Sequence, residues 1–317
     1  MRAPSLVDSF EEHRPHLLSV AYRLTGSVAD AEDAVQDAWL RLDGTDADRI
    51  DDLRAWLTTV VGHLCLDRLR SAAVRREQYV GQWLPEPIVT PLSGSVPPDP
   101  LEQVVRFEDN RLAALVVLDT LTPAQRVAFV LHDVFAVPFG EIAAILGVEP
   151  PAARQLASRS RRLVGAAPPP AGDDEHNAAV QRLLEAIAAG DLAAVVASLH
   201  PDARMIGDAN GTTNTAVNVI VGPDKTARFF LGLLQRYGPD ALLTYTPVLV
   251  NGQLGFVTPG SPGDGTHRAY AGRVLGCTVV DGYVWAAYDF ANPDKLRRVK
   301  VPSPWTDRPT ERGTHRY

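Results

Sequence analysis

Between Pro150 and Val164 the sequence holds Arg154, Arg159, Arg161 and Arg162 and no acidic residue, in a chain whose acids outnumber its bases 38 to 31. Guanidinium groups bind phosphates and guanine edges in two-pronged fashion, so this run has the chemistry of a DNA-contacting surface. At 100° per residue, Arg154, Ser158, Arg161 and Arg162 fall on one side of a helix with Gln155 and Arg159 beside them. Ala153, Leu156, Ala157, Ser160, Leu163 and Val164 share the opposite side, which should pack. A second constellation is anionic. In DAEDAVQDAWLRL, Asp30, Asp33 and Asp37 fall within about 60° of one another, apart from a buried stripe of Ala31, Val35, Ala38 and Leu42. Such a row would dock a basic protein surface and repel DNA. A solvated helix face whose early acids complement the helix dipole is the alternative.

A third group lies in Arg54 to Glu77, where Trp56 stands early and Arg68, Arg70, Arg75 and Arg76 late. The basic end can track a nucleic-acid backbone, while Trp56 either stacks on unpaired bases or belongs to the core. Further along, His200, Asp202, Asp208, His267, Tyr288 and Asp289 are the candidates for acid or base chemistry. Most have a structural explanation in turns and strand ends. Asp289, among Trp285, Tyr288 and Phe290, is the one whose surroundings would raise its pKa, either as a ligand contact or as a hydrogen-bonded structural acid. No nucleophile, base and orienter converge, so no catalytic residue is assigned.

The elements that position these groups follow from periodicity and breakers. Val127 to Val164 reads as a helix, a second helix over Phe139 to Leu146, a turn at Gly147-Val148-Glu149, and a third helix: the layout of a helix-turn-helix. Two proline-rich stretches, Trp83 to Pro100 and Ala166 to Glu175, can form neither a long helix nor a central strand and read as linkers. Everything up to Val164 outside the first linker has helical spacing. After Glu175, helices at His176 to Ala189, Leu192 to Leu199 and Pro223 to Tyr237 accompany strands at Leu242 to Val250, Leu254 to Thr258, Arg268 to Val280 and Tyr283 to Phe290, which predicts an α+β domain with an antiparallel meander.

Length and composition set limits. A chain of 317 residues suits two or three domains. Its net charge of −7 is unexpected for a protein holding DNA unaided, and points to a larger DNA-gripping partner. No run of eighteen apolar residues is present, and acids and a proline stand where a signal peptide needs an apolar run, so no membrane role and a cytoplasmic location are expected. The two cysteines, Cys65 and Cys277, form neither a disulfide framework nor a zinc motif and read as buried small hydrophobes. Neither a cofactor nor a metal is expected.

The three helical pieces together resemble the extracytoplasmic-function sigma factors, bacterial initiation subunits that direct RNA polymerase to promoters. The family's first motif is matched from Asp30 to Arg41. The resemblance implies that Asp30, Asp33, Gln36 and Asp37 dock on the clamp helices of the largest polymerase subunit. Trp56, Leu57, Asp67 and Arg70 match a second motif, in the region that captures flipped-out bases of the proximal promoter element. This implies proximal-element contacts by Trp56, His63, Arg68, Arg70, Arg75 and Arg76. Here Gly62-His63 replaces the family's Arg-Asn pair, so base preference does not carry over. Arg154, Gln155, Ser158, Arg159 and Arg162 match the helix that reads the distal element, with Leu156 where many members have Arg.

The remainder resembles the sigma-factor group with a fused SnoaL-like extension. Trp83-Leu84-Pro85-Glu86-Pro87, Asp208 in an Asp-Ala-Asn-Gly loop that departs from the group's Asp-Gly-Gly-Gly, and Asn292-Pro293-Asp294-Lys295-Leu296 carry that likeness. It implies regulatory contacts between the extension and the sigma domains in place of a separate anti-sigma protein.

The expected fold is therefore multidomain: two all-α sigma domains, the second a helix-turn-helix, followed by an α+β SnoaL/NTF2-like cone. The expected boundaries are a region 2-like domain over 1–82, a linker over 83–104, a region 4-like domain over 105–165, a linker over 166–175, a regulatory domain over 176–297 and a basic tail over 298–317. The expected partners are the polymerase core, promoter DNA and a small-molecule ligand of the last domain. Two other functions fit fewer residues: a ligand-responsive helix-turn-helix regulator acting without polymerase, and a SnoaL-like cyclase or isomerase with a DNA-binding appendage.

Overall fold

Three helices of the N-terminal half open on the same device, a hydroxyl that accepts an otherwise unpaired backbone amide. Ser5 caps α1 (Leu6–Thr25), Ser27 caps α2 (Val28–Asp43) and Thr122 caps α5 (Pro123–Phe129). The structure, a computed structural model, describes residues 5–46, 49–76, 79–92, 111–165 and 171–299, and the side chains of all these except 73–76. The basic tail from residue 300 onward and the side chains of Arg75 and Arg76 lie outside the described residues.

Helices α1, α2 and α3 (Leu53–Arg76) form a bundle around Leu17, Leu24, Val35, Leu42, Leu57 and Val61. Apolar residues recurring every three to four positions supply this buried stripe. The helix-turn-helix follows a short α4 (Leu112–Leu118). Helix α5 continues into a π turn at Val130–Val134, then α6 (Phe139–Leu146) ends at Gly147, whose φ of 68° is left-handed, and α7 (Pro150–Val164) follows. Bundle and helix-turn-helix share one apolar core. Their contact runs through Gly62 of α3, where an added Cβ would lie 3.0 Å from Ile145 Cδ1 and 3.2 Å from Leu131 Cδ1. A glycine inside a helix costs about 1 kcal/mol against alanine, and here it admits the second domain.

The C-terminal half builds a seven-stranded sheet, with α8 (Asp173–Ala188), α9 (Leu192–Ala197) and α10 (Pro223–Tyr237). The strands are β1 (Val89–Thr90), β2 (Leu199–Asp208), β3 (Ile220–Val221), β4 (Thr246–Val250), β5 (Gln253–Ser261), β6 (Tyr270–Val280) and β7 (Tyr283–Phe290), in the order β1-β4-β5-β6-β7-β2-β3. Side chains alternate between faces. On β6 and β7, Val274, Ala286, Tyr288 and Phe290 pack towards Leu84 and Leu112, while Arg273, Leu275, Cys277, Ala287 and Asp289 turn towards a cavity beneath α8 and α10.

Several expectations change. The meander β4 to β7 is antiparallel as anticipated, but β2 joins β7 in parallel, making the sheet mixed. The proline-rich stretch from Trp83 does more than connect, because β1 pairs with β4 and supplies the edge of the C-terminal sheet. Two residues on an edge are what a proline-rich segment allows. Leu242 to Thr244 is not strand but the end of a 3₁₀ turn over Pro239–Thr244. The helix expected over Leu192 to Leu199 ends at Ala197, and the strand after it begins at Leu199, so His200 to Asp202 lie within β2 rather than in the turn before it. Helix α8 starts three residues before His176, with Asp173, Asp174 and Glu175 in its first turn, where the helix dipole favours acids.

Candidate nucleic-acid interface and interdomain junction

Helix α7 seats Ala153, Ala157 and Ser160 inside, with the Ser160 hydroxyl donating to the carbonyl of Gln125 at 3.1 Å. Arg154, Gln155, Ser158, Arg159 and Arg162 are all exposed, so the residues expected to read DNA form one open surface. The Arg154 guanidinium lies 5.8 Å from the centre of the Phe139 ring, which restrains its direction. Arg161, on the same side, is taken by Asp133 at 2.5 Å. One packing expectation fails: Leu163 is 48% exposed. Helix α7 passes Gln125, near the start of α5, already at Ser160, so its last turn has less to pack against.

The acidic row on α2 is present but not uniform. Asp33 and Gln36 are exposed, whereas Asp30 is half-buried. Asp37 is not free, because Arg68 of α3 donates to its Oδ2 at 2.7 Å. A residue expected to hold polymerase and one expected to hold DNA thus occupy each other, and at partly exposed sites such a pair contributes little stability. Glu32, between Asp30 and Asp33 in sequence, pairs with Arg298, the first residue of the expected tail. On α3, Trp56 is half-buried against the bundle core. His63 is half-buried, and desolvation, aided by Arg41, lowers its pKa. Arg70 reaches only 3.8 Å from Asp67 and stays 59% exposed.

The residues expected to be regulatory converge. Glu86, in the linker, lies at the N-terminus of α2. Its Oε2 accepts the Val28 amide at 2.7 Å, the Ser27 hydroxyl at 3.2 Å and the Ala29 amide at 3.4 Å. Burial raises its pKa, against the lowering effect of these donors. The Glu86 amide donates to the carbonyl of Gly26 at 2.7 Å and its carbonyl accepts the Tyr22 hydroxyl at 2.7 Å. Tyr22 in turn accepts from Asn251 at 2.9 Å, and Asn251 Oδ1 accepts the Ile88 amide at 3.1 Å. Bundle, linker and C-terminal sheet are bonded through three successive buried residues.

Asp208, fully buried at the end of β2, organises the other side of the linker. Its Oδ2 accepts the Leu84 amide at 2.7 Å and the Lys295 ammonium at 2.5 Å, and its Oδ1 accepts the Tyr79 hydroxyl. Lys295 also donates to the Leu84 carbonyl and lies 3.8 Å from the centre of the Trp83 ring. Asn292 holds the Tyr79 hydroxyl at 2.8 Å and caps the 3₁₀ turn Pro293–Leu296 through the Asp294 amide at 3.1 Å. Pro85 and Pro87 are buried in the same junction and Leu296 packs at its edge. Residues of the three motifs expected to be regulatory, spread over more than 200 positions of the chain, thus meet at one junction. Asp208 serves this junction and not the cavity.

Around the cavity, Asp289 is buried and bonded through Oδ2 to Arg273 at 3.0 Å and to Thr215 at 2.7 Å, and burial raises its pKa as the sequence suggested. Cys277 is not fully buried but lines the cavity, where desolvation pushes its thiol to about 12. The other acid-base candidates serve local structure: His200 accepts the Asp202 amide at 3.0 Å, and His267 pairs with Asp264 at 2.9 Å.

Sequence reasoning missed Tyr22, Tyr79, Arg126, Asn251 and Arg273. Arg126 looks like a surface residue of an amphipathic helix, yet it is 2% exposed and bonds the carbonyls of Leu118 and Leu24. Asn251 was legible only as half of an Asn-Gly turn, and nothing local pointed to its partners.

Residues 9–75 match the Sigma-70 region 2 family, residues 111–164 the Sigma-70 region 4 family and residues 180–288 the SnoaL-like domain family. Among curated proteins, the ECF RNA polymerase sigma factor SigJ of Mycobacterium tuberculosis is 56% identical over 98% of this chain and 98% of its own length. A probable ECF sigma factor of that organism, SigI, is 32% identical over 92% of this chain and 95% of its own. The crystal structure of M. tuberculosis SigJ superposes with a TM-score of 0.81 at 54% identity, covering 93% of this chain and 99% of that one. With helical bundle, helix-turn-helix and fused sheet domain all matched in order, the chain belongs to the extracytoplasmic-function RNA polymerase sigma factors that carry a SnoaL-like C-terminal domain.

Proposed function

We propose that this sigma factor initiates transcription in the cytoplasm through three surfaces, with the fused domain setting the geometry of the first two. The exposed acids of α2, led by Asp33, dock the basic clamp helices of the polymerase core. Helix α3 meets the proximal promoter element with Trp56, His63 and the arginines of its second half. Helix α7 reads the distal element with Arg154, Gln155, Ser158, Arg159 and Arg162. The few kcal/mol needed to unstack promoter bases are offset by binding of the distal duplex and of polymerase.

The observation that carries this reading is the open α7 surface, which presents these five side chains without an acidic residue on the helix. The C-terminal domain acts by binding rather than catalysis and stands in for a separate anti-sigma protein. Supporting this, Glu86 ties the linker to α2 while Asp208 and Lys295 tie it to the sheet, so movement of the sheet is felt at the polymerase-docking helix. The test is run-off transcription with purified core polymerase on a library of promoter fragments. Transcripts that depend on the protein, and that change when the chain is cut after Gly172, are the expected result. Absence of transcripts together with absence of core binding would move the reading to a helix-turn-helix regulator acting alone.

A further inference from the structure

The π turn at Val130–Val134 closes α5 just before the two helices of the helix-turn-helix, and two successive residues in it make contacts that end on arginines of α7. Single π turns are rare and recur at functional sites. The His132 ring stacks on Phe139, the first residue of α6, with centroids 3.8 Å apart and planes at 29°. The Phe139 ring in turn lies under the Arg154 guanidinium, 5.8 Å from its centre. The carbonyl of Val137, which can only accept, lies 3.1 Å from His132 Nδ1, so that nitrogen carries the proton and the imidazole is fixed in orientation. Asp133, the next residue, accepts from Arg161 Nε at 2.5 Å.

Arg154 and Arg161 are seven residues apart, which is two turns of α7 and about 10 Å along one ridge. The two are treated differently. An arginine held over a ring keeps its N–H edge free for a base, whereas one bound to a carboxylate is neutralised and offers a phosphate little. We propose that the π turn sets the sequence selectivity of α7. His132, acting through Phe139, is a positioning residue that aims Arg154 at a base of the distal element, and Asp133 holds Arg161 back from the DNA backbone. Phosphate contacts add affinity without sequence information, so withholding one widens the gap between right and wrong sites. This inference rests on the reading of α7 as the distal-element helix.

The test reconstitutes holoenzymes from core polymerase and full-length chain, lets each select from promoter fragments randomised over the distal element, and sequences what is bound. Arg154→Ala should flatten the preference at one base pair by roughly tenfold. His132→Leu and Phe139→Leu should flatten that same position and spare the others, while His132→Tyr, which keeps a ring to stack, should restore it. Asp133→Ala should raise affinity for a duplex of arbitrary sequence and steepen its salt dependence by about one counterion. That gain should vanish when Arg161→Ala is added. A wild type with no distal preference overturns the reading of α7 and this inference with it. If Arg154→Ala flattens one position but the two leucine variants leave it sharp, or blur every position equally, the positioning role alone is wrong. A gain in Asp133→Ala that survives Arg161→Ala would come from the lost acidic charge and would remove the restraint on Arg161.

Discussion

Glu86 accepts the backbone amide of Val28 at 2.7 Å although the two residues are 58 positions apart, so the first turn of α2, the helix proposed to dock polymerase, is completed by a side chain from the linker. Ser27 caps the same helix locally, and Glu86 satisfies amides that a single cap leaves open.

Glu86→Ala should destabilise the chain by about 1–3 kcal/mol, because buried donors lose their acceptor. Glu86→Gln keeps an acceptor and should cost less. Burial places the folded-state pKa of Glu86 above its ordinary 4.5. The contribution of this group is therefore fully present below pH 4.5 and declines as pH rises through the raised folded value. Urea melts of wild type and Glu86→Gln at about pH 4 and about pH 8 check this: the wild type should do relatively worse at the higher pH. A pH-independent difference would show that Glu86 is not titrating in its buried site.

Lys295→Ala removes one partner of a pair in which Asp208 is fully buried and Lys295 is 11% exposed. An uncompensated buried carboxylate should cost about 3 kcal/mol. Because Lys295 also lies over the Trp83 ring, tryptophan emission should change in the folded state. Equilibrium unfolding followed by fluorescence reads both, and an unchanged midpoint would remove Lys295 from the junction.

Asp33→Arg should weaken core-polymerase binding roughly tenfold or more while leaving helix content unchanged, since Asp33 is exposed on α2. Asp37→Arg adds the loss of the Arg68 pair, a partly exposed contact worth under about 1 kcal/mol. The double variant should abolish holoenzyme formation. Co-migration of the double variant with core on gel filtration would refute the docking assignment.

Arg159→Ala should weaken binding to the distal element by about 1–3 kcal/mol if it reads a base, or lower the salt dependence by about one counterion if it holds a phosphate. Leu163→Ala, on the exposed last turn, should do neither. Fluorescence anisotropy on a promoter duplex at two salt concentrations separates the outcomes. Equal losses for both variants would mean that the arginine face is not the DNA surface.

Much of the molecule was legible in one dimension because it rests on local order. The period of Ala31, Val35, Ala38 and Leu42 buried one face of α2, and the bounds of α6, α7, α10 and β7 followed from breakers and caps in their own segments. The exposed arginine surface of α7 needed only its helical phase. Only the tertiary structure decided which distant groups meet. Nothing within a few residues of Asp37 says that Arg68 will take it, and nothing near Asp208 says that Tyr79, Leu84 and Lys295 will surround it. The mixed sheet was likewise out of reach, because the parallel pairing of β2 with β7 joins segments about eighty residues apart through contacts that leave no local period. Short-range periodicity fixes elements and their faces. The partners of buried polar groups are chosen when those faces close on one another, since only then does desolvation require each donor to find an acceptor.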